Sequence, residues 1–230
     1  MPATDPAPWR RRVLVTAVSA LLVCVAAAGC GAAAGAGQPS GNEAFLADLA
    51  TRLNSAAGAT YTATYTIGGG ASGTIAQAQA PDRIAFTYPS GITVVTADGA
   101  TQCDRGTQQI TCTRGATAEV MSAAIEHGGM IRPETVISML TDMAMDADAI
   151  VSERDTSYAG LPATCVTITY TNGTAGFDAC VTSTGLLASF NGTVGTAHID
   201  MELDRVNETV ADDAFALPAN AKIVGPPPSH

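Results

Sequence analysis

The sequence has 230 residues, of which 21 are acidic and 11 are basic, so its net charge is −10 at pH 7. A chain of this length can bury a sizeable core within one domain. Its acidic surplus argues against binding nucleic acid or anionic lipid headgroups through bulk charge, and we predict no nucleic-acid partner.

The N-terminus has the layout of a secretory signal. Three arginines at 10–12 precede sixteen uncharged, mostly apolar residues at 13–28, a segment that is short for a membrane span. The last four residues of this region, Ala27 to Cys30, resemble the bacterial lipobox, in which a peptidase cuts before a cysteine that carries a diacylglycerol. The resemblance implies that Cys30 becomes the lipidated first residue of the mature protein. An ordinary signal peptide and an uncleaved anchor are the alternatives.

Lipidation predicts a protein anchored to the cell membrane through its N-terminal acyl chains, on the extracytoplasmic face. Two acyl chains are enough for stable anchoring, whereas one chain holds a protein only marginally. Because the leader contains three arginines and one aspartate, the mature chain has a net charge of −12. We predict four regions: a leader (1–29), a lipidated cysteine with a flexible Gly- and Ala-rich tether (30–41), one domain (42–222) and a disordered Pro-rich tail (223–230).

Four cysteines remain after the leader and Cys30 are set aside, and an even number in an exported chain predicts disulfides. Asn172-Gly173 favours a two-residue type I′ turn, and pairing outward from that turn places Cys165 opposite Cys180. Cys103 and Cys112 flank a second short hairpin. A four-cysteine zinc site is the alternative, but it usually needs closer pairs such as CxxC, which are absent.

Apolar periodicity predicts the secondary structure in chain order. A helix with an apolar face begins at Asn42 and ends near Gly58, and residues 59–67 then alternate between apolar side chains and threonine, as in a strand with one buried face. Strand patterns and hairpin turns continue to about residue 113. Two helices follow, at 116–127 and from Pro133, and strand patterns resume from about 148 to 206.

These elements predict the α+β class. About 10–11 antiparallel strands and about three helices are best accommodated by a single large curved sheet, a half-barrel, with the helices packed on its concave face. This order of elements behind a lipobox resembles the LolA-like superfamily, including lipoproteins of the LppX and LprG type, over about residues 42–222. The stretches YTATYTIGGG, GLLASF and DDAFALPANAKI are similar to a group of actinobacterial lipoproteins. The superfamily resemblance implies a hydrophobic cavity for acyl chains between sheet and helices.

A cluster of methionines supports a cavity of this kind. Five of the six methionines in the mature chain lie between Met121 and Met145. Methionine is unbranched and polarizable, so it suits a pocket that adapts to ligands of variable shape, although ordinary core packing is the alternative. The predicted cavity lining comprises Met121, Ile125, Val136, Leu140, Met143, Ile168 and Phe177.

The sequence offers little for catalysis. It contains no HExxH, GxSxG or SxxK motif, and no free thiol is expected after lipidation and disulfide formation. His198 alternates with three acidic residues on a predicted strand, a pattern that favours a solvated face over a cation site. We predict a non-enzymatic protein with no catalytic residue, metal site or cofactor.

Two functional hypotheses follow from the predicted fold and anchor. The first is a carrier or presenter that binds a lipid or another amphiphile in the cavity. The second is an envelope sensor or scaffold that binds a protein partner and holds no ligand.

Overall fold

The structure is a computed structural model that describes residues 41–106, 109–173 and 175–225. The predicted leader, Cys30, nearly all of the tether and the last five residues of the tail lie outside the described residues. The helices are α1 (Gly41–Ser55), α2 (Ala118–His127) and α3 (Pro133–Ala144). The strands are β1 (Tyr61–Ile67), β2 (Ala71–Gln79), β3 (Asp82–Tyr88), β4 (Gly91–Thr96), β5 (Gly99–Arg105), β6 (Ile110–Arg114), β7 (Ala149–Tyr158), β8 (Leu161–Tyr170), β9 (Ala175–Thr182), β10 (Leu187–Val194), β11 (Ala197–Asn207) and β12 (Lys222–Val224).

In the described part of the chain, all twelve strands belong to one curved sheet that does not close, and three α-helices accompany it, which confirms the predicted α+β class. The strand order is β12-β6-β5-β4-β3-β2-β1-β11-β10-β9-β8-β7. Every pairing is antiparallel except that of β12 with β6, so the sheet is mixed rather than purely antiparallel. The sequence missed β12, since a three-residue strand has too few positions to show alternation. Ile223 and Val224 therefore belong to the sheet and not to the tail.

Side-chain alternation gives the sheet two different faces. In β1, Tyr61, Ala63, Tyr65 and Ile67 are buried against the helices, and threonines point to the other face. The Tyr65 hydroxyl donates a hydrogen bond of 3.0 Å to the backbone carbonyl of Leu187. Burial raises the pKa of Tyr65 well above its ordinary value, so this hydroxyl remains a donor.

The helices have local sequence signals that the structure uses. Thr117 caps α2 by accepting a hydrogen bond from the backbone N–H of Val120, and Pro133 occupies the first turn of α3. Helix α3 packs against α1, and the last turn of α1 and the first turn of α3 line the same small pocket. The two helices are therefore antiparallel, and Gly41 lies at the end of the pair where α3 terminates. Among the described residues, no helix has the length and apolar character that crossing a membrane requires.

The convex face carries a second, smaller core that the C-terminal segment covers. Small and apolar side chains of β2–β6 pack there with the disulfide-bonded Cys103 and Cys112, beneath Phe215. The Arg83 guanidinium lies 4.2 Å above the Phe215 ring and pairs with Asp212. The segment around Phe215 therefore holds the end of the domain against the convex face.

The structure contains both predicted disulfides, Cys103–Cys112 and Cys165–Cys180. The predicted register of the β8–β9 hairpin is also confirmed, from Cys165↔Cys180 to Ile168↔Phe177. The predicted two-residue type I′ turn is wrong, because the register shifts after Ile168 and only Gly173, not Asn172, has a positive φ. The Gly173 N–H instead donates to the Tyr170 carbonyl at 2.8 Å, which closes the turn earlier in a longer loop.

Candidate functional site: a groove at one rim of the sheet

The space between helices and sheet is filled by the α2–α3 connection. After α2, the chain returns over the concave face, and both Met130 and Ile131 in this connection are completely buried in the main core. A Cβ atom on Gly73 of β2 would lie only 2.6 Å from the Met130 sulfur, so the glycine makes room for that side chain. The connection thus contributes core residues where the sequence predicted a ligand cavity.

Four of the seven residues predicted to line a cavity do not line an open pocket in the structure. Ile125, Val136 and Leu140 are at most 1% exposed and pack in the main core with Met130. Met121 is half-buried on α2. Their helical spacing was a correct signal for burial, but burial against the protein's own core and burial against a ligand give the same sequence pattern.

The other three predicted residues, Met143, Ile168 and Phe177, line a groove of about 520 Å³, and Ile168 and Phe177, which are 1% and 7% exposed, also belong to the main core. It lies between the C-terminal half of α3 and the ends of β8–β11, along an edge of the sheet that we call the groove rim. Met139 and Tyr170 add further apolar surface to its wall. A volume of this size lies within the range of small-molecule sites in proteins.

Local contacts fix the apolar wall of the groove. The Tyr170 hydroxyl donates to the Met143 sulfur at 3.3 Å, which joins the end of β8 to the last turn of α3. Phe177 stacks on Phe190 with ring centroids 5.8 Å apart. Gly192 is required beside them, since a Cβ there would lie 2.8 Å from the Phe177 Cβ. One face of a bound molecule would therefore meet thioether and aromatic carbon.

The opposite wall of the groove is polar. Asp178, Asn191 and His198 line it together with threonines, and Asp142 adds a carboxylate from α3 beside Met139 and Met143. The Asp178 carboxylate is already engaged, because Arg154 donates to one of its oxygens at 3.0 Å and Thr167 to the other. The groove is thus amphipathic, since it combines apolar side chains of α3 and the concave face with polar side chains of the other sheet face and with Asp142 of α3.

A second concavity of about 510 Å³ adjoins the groove and shares His198 with it. His127, at the end of α2, also lines it, and the His127 Nδ1 donates to the Ala123 carbonyl at 2.6 Å. Burial raises the pKa of the neighbouring Glu126 carboxyl, although Arg132 and His127 act in the opposite direction. Within the described ranges, no group of three or more His, Cys, Asp or Glu side chains is placed to hold a metal ion.

The sequence missed several groove residues. Met139 was visible only as one member of the methionine cluster, and His198 as one position of a polar strand face. Gly176 and Gly192 were not predicted as groove residues, because the sequence does not distinguish a strand glycine that shapes a binding surface from a strand glycine in a β-bulge.

No protein-family model matches the chain, and no curated protein is significantly similar to it. The function of the chain is therefore inferred from the groove itself.

Proposed function

We propose that the protein is a membrane-anchored extracytoplasmic lipoprotein that binds a lipid or another amphiphile in the groove between α3 and β8–β11, as a carrier or presenter. The observation that carries the proposal is the amphipathic lining, which combines the apolar side chains of Met139, Met143 and Phe177 with the polar side chains of Asp142 and His198. Flexible thioethers can adapt to acyl chains, while the polar wall can bind a headgroup. The proposed activity is non-enzymatic.

The proposed ligand occupies the rim and not the interior of the half-barrel. Met130 and Ile131 fill the interior, so a ligand there would have to displace completely buried side chains. At the rim, only half-buried side chains such as Met139 and Met143 need to move.

Binding in the groove predicts that Met143→Asp weakens the affinity for a fluorescent fatty acid by about tenfold or more. A carboxylate would then face the apolar wall, and leaving such a group desolvated costs more than the roughly 1.4 kcal/mol that corresponds to tenfold. Fluorescence titration of the purified non-acylated domain measures the change.

Met145→Asp is the matched control, because Met145 lies two residues further on and is 86% exposed. Its affinity should stay within about twofold of the unaltered protein, since an exposed substitution removes no desolvated contact. Equal weakening by both variants, or no binding by the unaltered domain together with no lipid in its solvent extract, would refute the groove as a lipid site.

The proposed anchor has a separate test. Cys30→Ala should abolish labelling by a radioactive acyl precursor and release the protein from the membrane fraction, because the other mature-chain cysteines are bridged. Globomycin should block processing of the unaltered precursor. A Cys30→Ala protein that stays in the membrane fraction would contradict lipidation at this residue.

A further inference from the structure

The described chain begins at the groove rim. Helix α1 runs antiparallel to α3, so Gly41 lies at the end of the helix pair where α3 terminates, and the last two turns of α3 line the groove. The segment that joins Cys30 to the domain therefore arrives at this rim and not at the opposite one, where Tyr61 and Gly185 lie.

The length of that segment keeps the rim near the proposed anchor. Gly41 lies eleven positions after Cys30. A chain of this length can span at most about 36–40 Å. A ten-residue strand such as β8 extends the domain by about 34 Å, so the opposite rim lies much farther from the end of the tether.

Exposed apolar side chains occur at the same rim. Met145 directly follows α3 and is 86% exposed, the highest fraction among the large exposed hydrophobic residues in the described part of the chain. Ile150, 47% exposed, is at the start of β7, where Ala149 pairs with Tyr170. The rim thus presents two exposed apolar side chains beside the amphipathic groove.

The charges at this rim favour a neutral lipid surface over an anionic one. Asp146 and Asp148 immediately follow Met145. Both carboxylates would be repelled by anionic headgroups within a Debye length of the bilayer.

We propose that the groove rim docks on the zwitterionic surface of a lipid bilayer, with Met145 entering the interface and the groove opening toward the membrane. This orientation rests on the proposed anchor at Cys30. It lets an amphiphile pass between bilayer and groove beside Met143 without crossing water.

Tryptophan fluorescence can test the orientation, because the only tryptophan, Trp9, lies in the predicted leader. A non-acylated chain that begins at Cys30 is coupled through its thiol to a maleimide lipid in phosphatidylcholine vesicles that contain acyl-brominated lipid. One protein carries Met145→Trp. The matched control carries Val120→Trp, which is 49% exposed in the first turn of α2, toward the opposite rim.

The Met145→Trp emission should shift to the blue on coupling, as expected for insertion at the interface. Its quenching should be at least about twofold stronger than the quenching of the Val120→Trp emission. Adding phosphatidylglycerol should reduce the difference. Equal quenching, or stronger quenching of Val120→Trp, would overturn the proposed orientation. Because chemical coupling replaces acylation and no groove ligand is added, this result is independent of the tests of lipidation and ligand binding.

Discussion

Met130→Ala is expected to lower the free energy of unfolding by about 2–5 kcal/mol, the range observed when large aliphatic side chains are truncated in a core. Met130 is completely buried, and its sulfur lies against the backbone of Gly73. Truncation leaves a space that the curved sheet cannot easily close, because β1 and β2 are held by neighbouring strands on both sides. Urea unfolding followed by circular dichroism gives the change.

Met145→Ala removes the same atoms at an exposed position and serves as the control. Its free energy of unfolding should stay within about 0.5 kcal/mol of the unaltered protein. If the Met130 and Met145 variants were equally stable, the α2–α3 connection would not be part of the core. The interior of the half-barrel would then again be a candidate for ligand binding.

Alternation and turn residues were sufficient to predict most of the sheet. The pattern of β1 and the paired cysteines predicted which side chains share a face, and the structure confirms the pairing of Cys165 with Cys180 and of Ile168 with Phe177. Alternation is informative here because one face of each hairpin is buried and a shift by one residue would expose the apolar set. The exact turn was not predictable, since Asn-Gly is compatible with more than one loop length.

The second core was missed for a different reason. Ala76, Ala78 and Ala85 lie on the convex face, where small residues can be either solvent-exposed or covered. What buries them is Phe215, more than a hundred residues later in the chain. A contact so distant in sequence leaves no periodic signal in either segment.

The groove was predicted only in part, because sequence periodicity reports burial and not what causes it. Met143 and Leu140 both follow the helical spacing of α3, yet Met143 lines the groove and Leu140 is completely buried in the core. The difference depends on how far the α2–α3 connection extends over the concave face. The residues of this connection lie between two predicted helices and show no periodic pattern, so the burial of Met130 in the interior was not predictable from the sequence.

Replacing Cys165 and Cys180 together by alanine is expected to cost about 3 kcal/mol of unfolding free energy, because the bridge closes a 15-residue loop in the unfolded chain. The same replacement of Cys103 and Cys112, which are 9 residues apart, should cost about 2.6 kcal/mol. Urea unfolding of the two double variants under identical conditions measures both losses. If replacing Cys103 and Cys112 lowered the unfolding free energy much more than replacing Cys165 and Cys180, loop length would not determine how much each disulfide stabilises the protein.

The Cys165–Cys180 variant also separates stability from binding. The bridge lies on the convex face among Ala163 and Ala188, whereas Ile168 and Phe177, three positions farther along the same hairpin, line the groove. Because burial of the apolar face independently specifies the register, the folded variant should bind a fluorescent fatty acid with unchanged affinity. Weaker binding without loss of stability would mean that the bridge holds the native shape of the groove wall, in addition to restricting the unfolded chain.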